Sequence, residues 1–301
     1  MNQSNAAFLS FGRGLESLPR AQFSESATQK MLRARNYTRL EDRVFESADF
    51  GVIAVRLYRP AGVSDPLPVV IYCPDTSESD LSQRMLHEIA LQVQATVIWV
   101  RTPDSLEAIY AVCCWVAERG LEARLDPNRI ALAGEGVGGH NAVTVALMAV
   151  QRGTPQISFQ LLLYPVTETD FGLASYREFS DGPWLTHAEM EWVWDQYQIN
   201  PNVRTQSKLT PWHEHSAALH ALPATLIVTA DDDDLRDEGA TYAARLLEAG
   251  VAVSVVRSFA TADEFERCSL DRATPTARAA FAHALEGLRV AFGADPVGGA
   301  S

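Results

Sequence analysis

No stretch of this chain stays apolar for the roughly twenty residues that a bilayer-spanning helix needs. Residues 1–13 lack a basic stretch followed by an apolar one, so no secretory leader is expected there. Positive charge is in short supply as well: 25 Lys and Arg stand against 38 Asp and Glu, a formal net charge of −13. A surface of that sign repels phosphate backbones, which argues against nucleic acid as a partner. Cysteine is sparse. Cys73, Cys113, Cys114 and Cys268 show no CxxC pair and no metal-ligand spacing, so they read as reduced thiols of a cytoplasmic protein. Internal repeats and low-complexity linkers are missing too. The chain, 47% hydrophobic and 21% charged, therefore reads as one soluble domain over residues 1–301.

What is present is a set of short, continuous apolar runs: 67–72 (LPVVIY), 95–100 (ATVIWV), 130–133 (IALA), 159–164 (FQLLLY), 224–229 (ATLIVT) and 251–256 (VAVSVV). Runs apolar on both faces suit buried parallel strands. An alternating segment, 52–58, ended by Pro60-Ala61-Gly62, reads as an edge strand with a turn. Helical spacing of apolar residues recurs at 106–119, 141–150, 238–248 and 276–292, the last following Pro275. Strands alternating with helices predict an α/β fold with a mostly parallel, doubly wound sheet. Asp126-Pro127, ahead of Arg129-Ile130, marks a turn into a central strand. The polar N-terminal segment, to about residue 45, is expected to be helical in parts and to pack over the sheet with the cap. The alternation breaks over 171–220, which reads as a helical cap or lid. Within it, 186–197 (THAEMEWVWDQY) forms a helix with a capping box from Thr186 and Glu189. Trp192 and Trp194 on that helix face either the pocket or the core.

Ligands of open α/β sheets bind at the carboxyl ends of the strands. The sharpest such end is 130–140 (IALAGEGVGGH), a strand running into a glycine-rich turn and then a helix. This is the context of a nucleophile elbow, where one residue is held on a strained turn above the sheet. Gly136 stands at its tip.

Together with the segments 126–130 (DPNRI), 164–171 (YPVTETDF), 182–185 (GPWL) and 230–243 (ADDDDLRDEGATYA), the elbow resembles the hormone-sensitive-lipase-like family of α/β-hydrolases. These are carboxylesterases and acetyl esterases, and the resemblance covers roughly 52–292 in the family's order. It implies the α/β-hydrolase fold. It also places the family's catalytic residues. The elbow G-D-S-A-G-G corresponds to Gly134-Glu135-Gly136-Val137-Gly138-Gly139, so the serine position holds Gly136, which has no side chain to attack a carbonyl. The triad acid falls on Asp233. The histidine's H-G-F segment falls on Asp263-Glu264-Phe265, with a carboxylate in place of an imidazole. The oxyanion loop H-G-G-G falls on Cys73-Pro74-Asp75-Thr76, where proline removes a donor and an acid opposes an oxyanion. Together these predict a member without serine esterase chemistry, and a vacated pocket lined by Gly136, Val137, Cys73, Asp75, Glu135 and Trp192.

Asp233 and Asp263 are expected to face each other, to share a proton, and with His140 to form an acid–base set. The bland alternatives are solvated leftovers for the acids and helix packing for His140. Cys73 is either a nucleophile in search of a base or a buried thiol. The acidic run 231–238 invites a calcium reading, but the start of the following helix explains acids there equally well. His213, His215 and His220 lack the spacing of a helical metal pair, and neither metal nor cofactor is expected. Three functions follow. The first is cyclisation, elimination or isomerisation of a small apolar ligand, a lyase, cyclase or isomerase activity. The second is ligand binding without turnover, for which the plant gibberellin receptor, similar to the same hydrolases, is the precedent. The third is residual ester hydrolysis through Cys73 or bound water. A homodimer through an edge strand or a neighbouring helix, as in many relatives, is left open.

Overall fold

The structure is a computed structural model and describes residues 38–47, 51–63, 65–73, 80–101, 106–167, 172–179, 216–259 and 274–293. Its centre is an eight-stranded sheet in the order β1-β2-β4-β3-β5-β6-β7-β8. The strands are β1 (Thr38–Ser47), β2 (Gly51–Pro60), β3 (Leu67–Cys73), β4 (Thr96–Val100), β5 (Leu125–Glu135), β6 (Phe159–Leu163), β7 (Ala224–Ala230) and β8 (Val253–Ser258). β1 and β2 are antiparallel to each other, and β2 to β4, while the strands from β4 to β8 are parallel. The helices are α1 (Asp80–Val93), α2 (Leu106–Arg119), α3 (Gly136–Arg152), α4 (Ala174–Glu178), α5 (Ser216–His220), α6 (Arg236–Glu248) and α7 (Pro275–Ala291).

The apolar runs become strands because both faces of the sheet are covered. Along β3, Val69, Ile71 and Cys73 enter the core beneath α2, α3 and α6, whereas Val70 and Tyr72 enter the core beneath α1 and α7. That alternation is the two-residue period of a strand, and every residue of β3 is buried. α7 starts where the sequence signals it. Thr274 caps it by accepting from the Ala277 N–H at 3.2 Å, with Pro275 following in its first turn.

Three features differ from the expectations. Segment 38–47 is a strand rather than a helical stretch, paired with β2 over its whole length. In consequence β2 is not the edge of the sheet; β1 is. A helix, α1, separates β3 from β4, and the last strand lies two residues later than the apolar run 251–256. The cap region is described only at its two ends, α4 and α5. The helix read over 186–197, with Trp192, lies outside the described residues, as does the N-terminal segment before Thr38.

Strands run outward in both directions from β3, so the chain reverses its winding between β3 and β5. The crevice at such a switch point is where open α/β sheets bind ligands. Cys73 and Gly134 pair there at the two strands' carboxyl ends.

Candidate active site

β5 stays extended through Glu135 (φ −116°, ψ 147°) and turns at Gly136, whose φ is +50°, directly into α3. A side chain disfavours this left-handed geometry by about 1–2 kcal/mol. The turn is as tight as backbone contact allows. A Cβ on Gly134 would lie 2.2 Å from the Gly138 carbonyl oxygen, and one on Gly139 would lie 2.8 Å from Cβ of Pro165. The Gly136 carbonyl accepts from the Val166 N–H at 3.0 Å. The Glu135 side chain does not cap α3, and the positive end of the helix dipole lies at this turn. Val137 is buried beside it.

Glu135 was expected to line the vacated pocket. Its carboxylate, at the end of β5, is buried and accepts from the Tyr164 hydroxyl at 2.7 Å. Tyr164 itself turns at φ +35°. The segment it begins, Tyr164 to Thr167, wedges between two helices. Pro165 packs on Gly139 of α3, and its Cδ would stand 3.8 Å from a Cβ on Gly239 of α6.

His140 is buried in the first turns of α3 and hydrogen-bonded to the Val166 backbone. Burial pulls its pKa down to about 4. It is a neutral imidazole engaged with its neighbours, which matches the bland reading rather than a pocket base. Cys73 is likewise a core residue: its thiol is wholly buried and burial pushes its pKa well up. A thiolate is the nucleophilic form, and burial of Cys73 disfavours it.

Asp233 lies in the turn after β7. Its Oδ1 accepts from the Leu235 N–H at 3.1 Å. Its Oδ2 is buried with no partner among the described residues. Burial first, then the neighbouring Asp234 carboxyl, holds its carboxyl well above the ordinary carboxylate range. Asp263 and Asp75 lie outside the described residues, as do His213 and His215; His220 bonds the Ala249 carbonyl at 2.8 Å, at the end of α6. Among the described residues no group of three His, Cys, Asp or Glu is placed to hold a metal ion.

The acidic run is not one solvated face. Asp232 is exposed, but Asp234 and Glu238 are buried. Glu238 accepts from the Thr167 N–H at 2.6 Å and from the Tyr176 hydroxyl. Ser175 donates its N–H to Asp237 at 2.9 Å and its hydroxyl to the Asp234 carbonyl at 2.6 Å. Arg236 bonds Asp237 and Glu178, both at 2.9 Å, and the Asp231 carbonyl at 3.0 Å, and it stacks over Phe179. The acid-bearing turn is thus tied to α4. Tyr176, Thr167 and Arg236 were not singled out from sequence as site residues, and Asp234 and Glu238 were read there only as members of the acidic run. The only signal available was the density of acids at 231–238, which does not distinguish buried from exposed ones.

Comparison with known proteins supports the fold and the family. The sequence model of the alpha/beta hydrolase fold matches residues 72–265. A carboxylesterase of Mycobacterium tuberculosis is 34% identical over 233 residues, covering 72% of this chain and 72% of that one. An alpha/beta hydrolase of Acanthamoeba polyphaga mimivirus is 32% identical over 222 residues, 69% of this chain; the match spans 64% of that protein's length. Among solved structures, a thermostable esterase from Pseudomonas putida superposes with a TM-score of 0.76 at 33% identity, covering 96% of this chain and 97% of that one.

Proposed function

The chain belongs to the α/β-hydrolase fold family, and from that premise we propose that it is a member without a serine nucleophile, which holds a small carbonyl-bearing organic ligand above the elbow. One observation carries the reading: the strand-turn-helix of the elbow is complete, and its tip is Gly136 at φ +50°. Covalent acyl transfer needs a nucleophilic side chain at that point, and neither of the nearby thiol or imidazole groups substitutes. Cys73 is buried with a raised pKa, and His140 is neutral and turned to the Val166 backbone. What remains is suited to binding. The uncapped first turn of α3 offers donors to a carbonyl oxygen, and Asp233 offers a buried carboxyl. That the relatives are esterases supports an ester or a similar carbonyl compound as the ligand class.

A second reading, turnover by Asp233 without a covalent intermediate, is favoured by its buried, unmatched Oδ2. Such an acid can move a proton in an isomerisation or elimination, or activate a water on an ester.

The two separate in one assay of purified protein with p-nitrophenyl acetate and butyrate, run beside Asp233→Asn and Cys73→Ala. Binding of a non-hydrolysable ester analogue without release of nitrophenol supports the first. Turnover lost in Asp233→Asn supports the second. Turnover lost in Cys73→Ala would overturn both.

A further inference from the structure

The pole of the sheet opposite the elbow gathers positive charge. β2 runs antiparallel to β4, with Tyr58 opposite Val97, so Arg59 stands at the amino end of β4. Arg39 on β1 is its direct partner in the register, and Glu41 and Arg43 follow on the same face at the two-residue period of a strand. Arg124 joins them from the turn ahead of β5, where it holds φ +57°, near enough for its charge to act on Arg59. Glu41 is the acid that these arginines share: Arg43 reaches it at 2.9 Å, Arg39 at 3.6 Å and Arg59 at 3.7 Å. Arg59 also donates to the Ala123 carbonyl at 3.0 Å. Arg124 has no acid of its own among the described residues. Arginines elsewhere are matched singly with an acid, as Arg119 with Glu122, Arg129 with Asp126 and Arg152 with Glu107. Here three guanidinium groups share one carboxylate and a fourth stands beside them, in a chain whose formal net charge is −13. Like charges directly opposite each other destabilise a sheet, and a left-handed φ is unfavourable for a residue with a side chain.

We propose that the face formed by Arg39, Arg43, Arg59 and Arg124 binds a small phosphate dianion, free or carried as a monoester on a larger metabolite. Planar guanidinium forks match phosphate oxygens in pairs. Four arginines less one glutamate leave a surplus of positive charge, which matches the near-double negative charge of a phosphate monoester at neutral pH. Arg59, with its side chain 13% exposed, is the fixed floor of the site. Arg39, 77% exposed, and Arg124, also exposed, are the arms that reach solvent. A long polyanion does not fit, because the net charge of the chain repels it. The site stands at the opposite pole from Gly136, apart from the one at the elbow.

The full chain is titrated with inorganic phosphate, phenyl phosphate and acetate by isothermal calorimetry at low ionic strength, in wild type, Arg39→Gln and Arg124→Gln. Both variants change exposed side chains, and the unfolding midpoint without ligand checks that each keeps its fold. The expected result is saturable binding of phosphate to wild type with a Kd of about 1 mM or tighter, and none of acetate. Added salt weakens that binding. Each variant weakens it by about fivefold or more, the loss of one charge-assisted contact at an exposed position. Tighter binding of phenyl phosphate than of inorganic phosphate assigns the monoester; equal or weaker binding assigns the free ion. A wild type that binds neither phosphate up to about 10 mM overturns the proposal. So does phosphate binding that acetate equals, or that both variants leave unchanged. Should one variant unfold, the other decides.

Discussion

At the residue scale the site is governed by what burial does to ionisable groups. His140 titrates near 6.5 in an unfolded chain and at about 4 in the fold. The native state therefore binds fewer protons between those values, and stability present above pH 6.5 is lost as pH falls towards 4. The expected loss is about 3 kcal/mol, from 1.36 kcal/mol per pH unit. It is read as the urea midpoint against pH, with His140→Asn losing the steep part of the curve. Asp233 works in the opposite direction. Its raised pKa makes the protonated fold the stable one, so its contribution is full below pH 4 and is lost as pH rises through its folded value. Gly136→Ser tests the elbow. A side chain at φ +50° should cost about 1 kcal/mol of stability. It should yield no ester turnover, because no imidazole base is restored with it. Substantial hydrolysis by that variant would show that a base already faces the elbow.

At the element scale the contact between β5 and α3 decides the geometry. Gly134→Ala would set a Cβ 2.2 Å from the Gly138 carbonyl oxygen, and backbone on both sides leaves little room to yield. The expected loss is about 3 kcal/mol or more by denaturant unfolding; an unchanged midpoint would mean that strand and helix do not meet there. The cap of α7 is a milder case. Thr274→Ala removes the acceptor for the Ala277 N–H and should cost about 1 kcal/mol. Elements of this kind were largely legible in advance. The boundaries of α2 and the ends of β2 and β3 lie where apolar runs, Pro60 and helical spacing put them, because burial on both faces leaves an unbroken apolar run. β1 was not legible as a strand. Arg39, Glu41 and Arg43 form a ladder of ion pairs on it, and a charged edge strand looks like any polar segment until its partner is known.

At the scale of the whole molecule, the two helices that flank the acid-bearing turn are joined through buried polar groups. Glu238 is held by Thr167, from the end of β6, and by Tyr176, from α4. Tyr176→Phe would leave a buried carboxylate one donor short, at about 1–3 kcal/mol. Hydrogen exchange should quicken at the Ser175 N–H, which bonds Asp237. Protection unchanged at Ser175 would show that α4 is held by something other than this network. The same network keeps the pieces of the site together. Thr167, Pro165 and Tyr164 run from Glu238 past Gly239 and Gly139 to Glu135, linking the acid turn to the elbow through one short segment.

The amino-acid sequence by itself determined the layered α/β architecture, the family and the place of the elbow. Apolar runs, helical spacing and glycines at tight backbone positions are local consequences of local chemistry, and they survive without knowledge of what packs against them. It also set the identity of the residue at the elbow tip. Which acids are buried was decided only by tertiary structure. Asp232 and Asp234 are neighbours of the same type, yet one faces water and the other the underside of α4. Glu135 and His140 sit within a turn or so of the elbow tip, yet β6 and the Val166 backbone draw their polar groups away. Side-chain direction and desolvation depend on neighbours distant in the chain, and so do the proton states that follow from them.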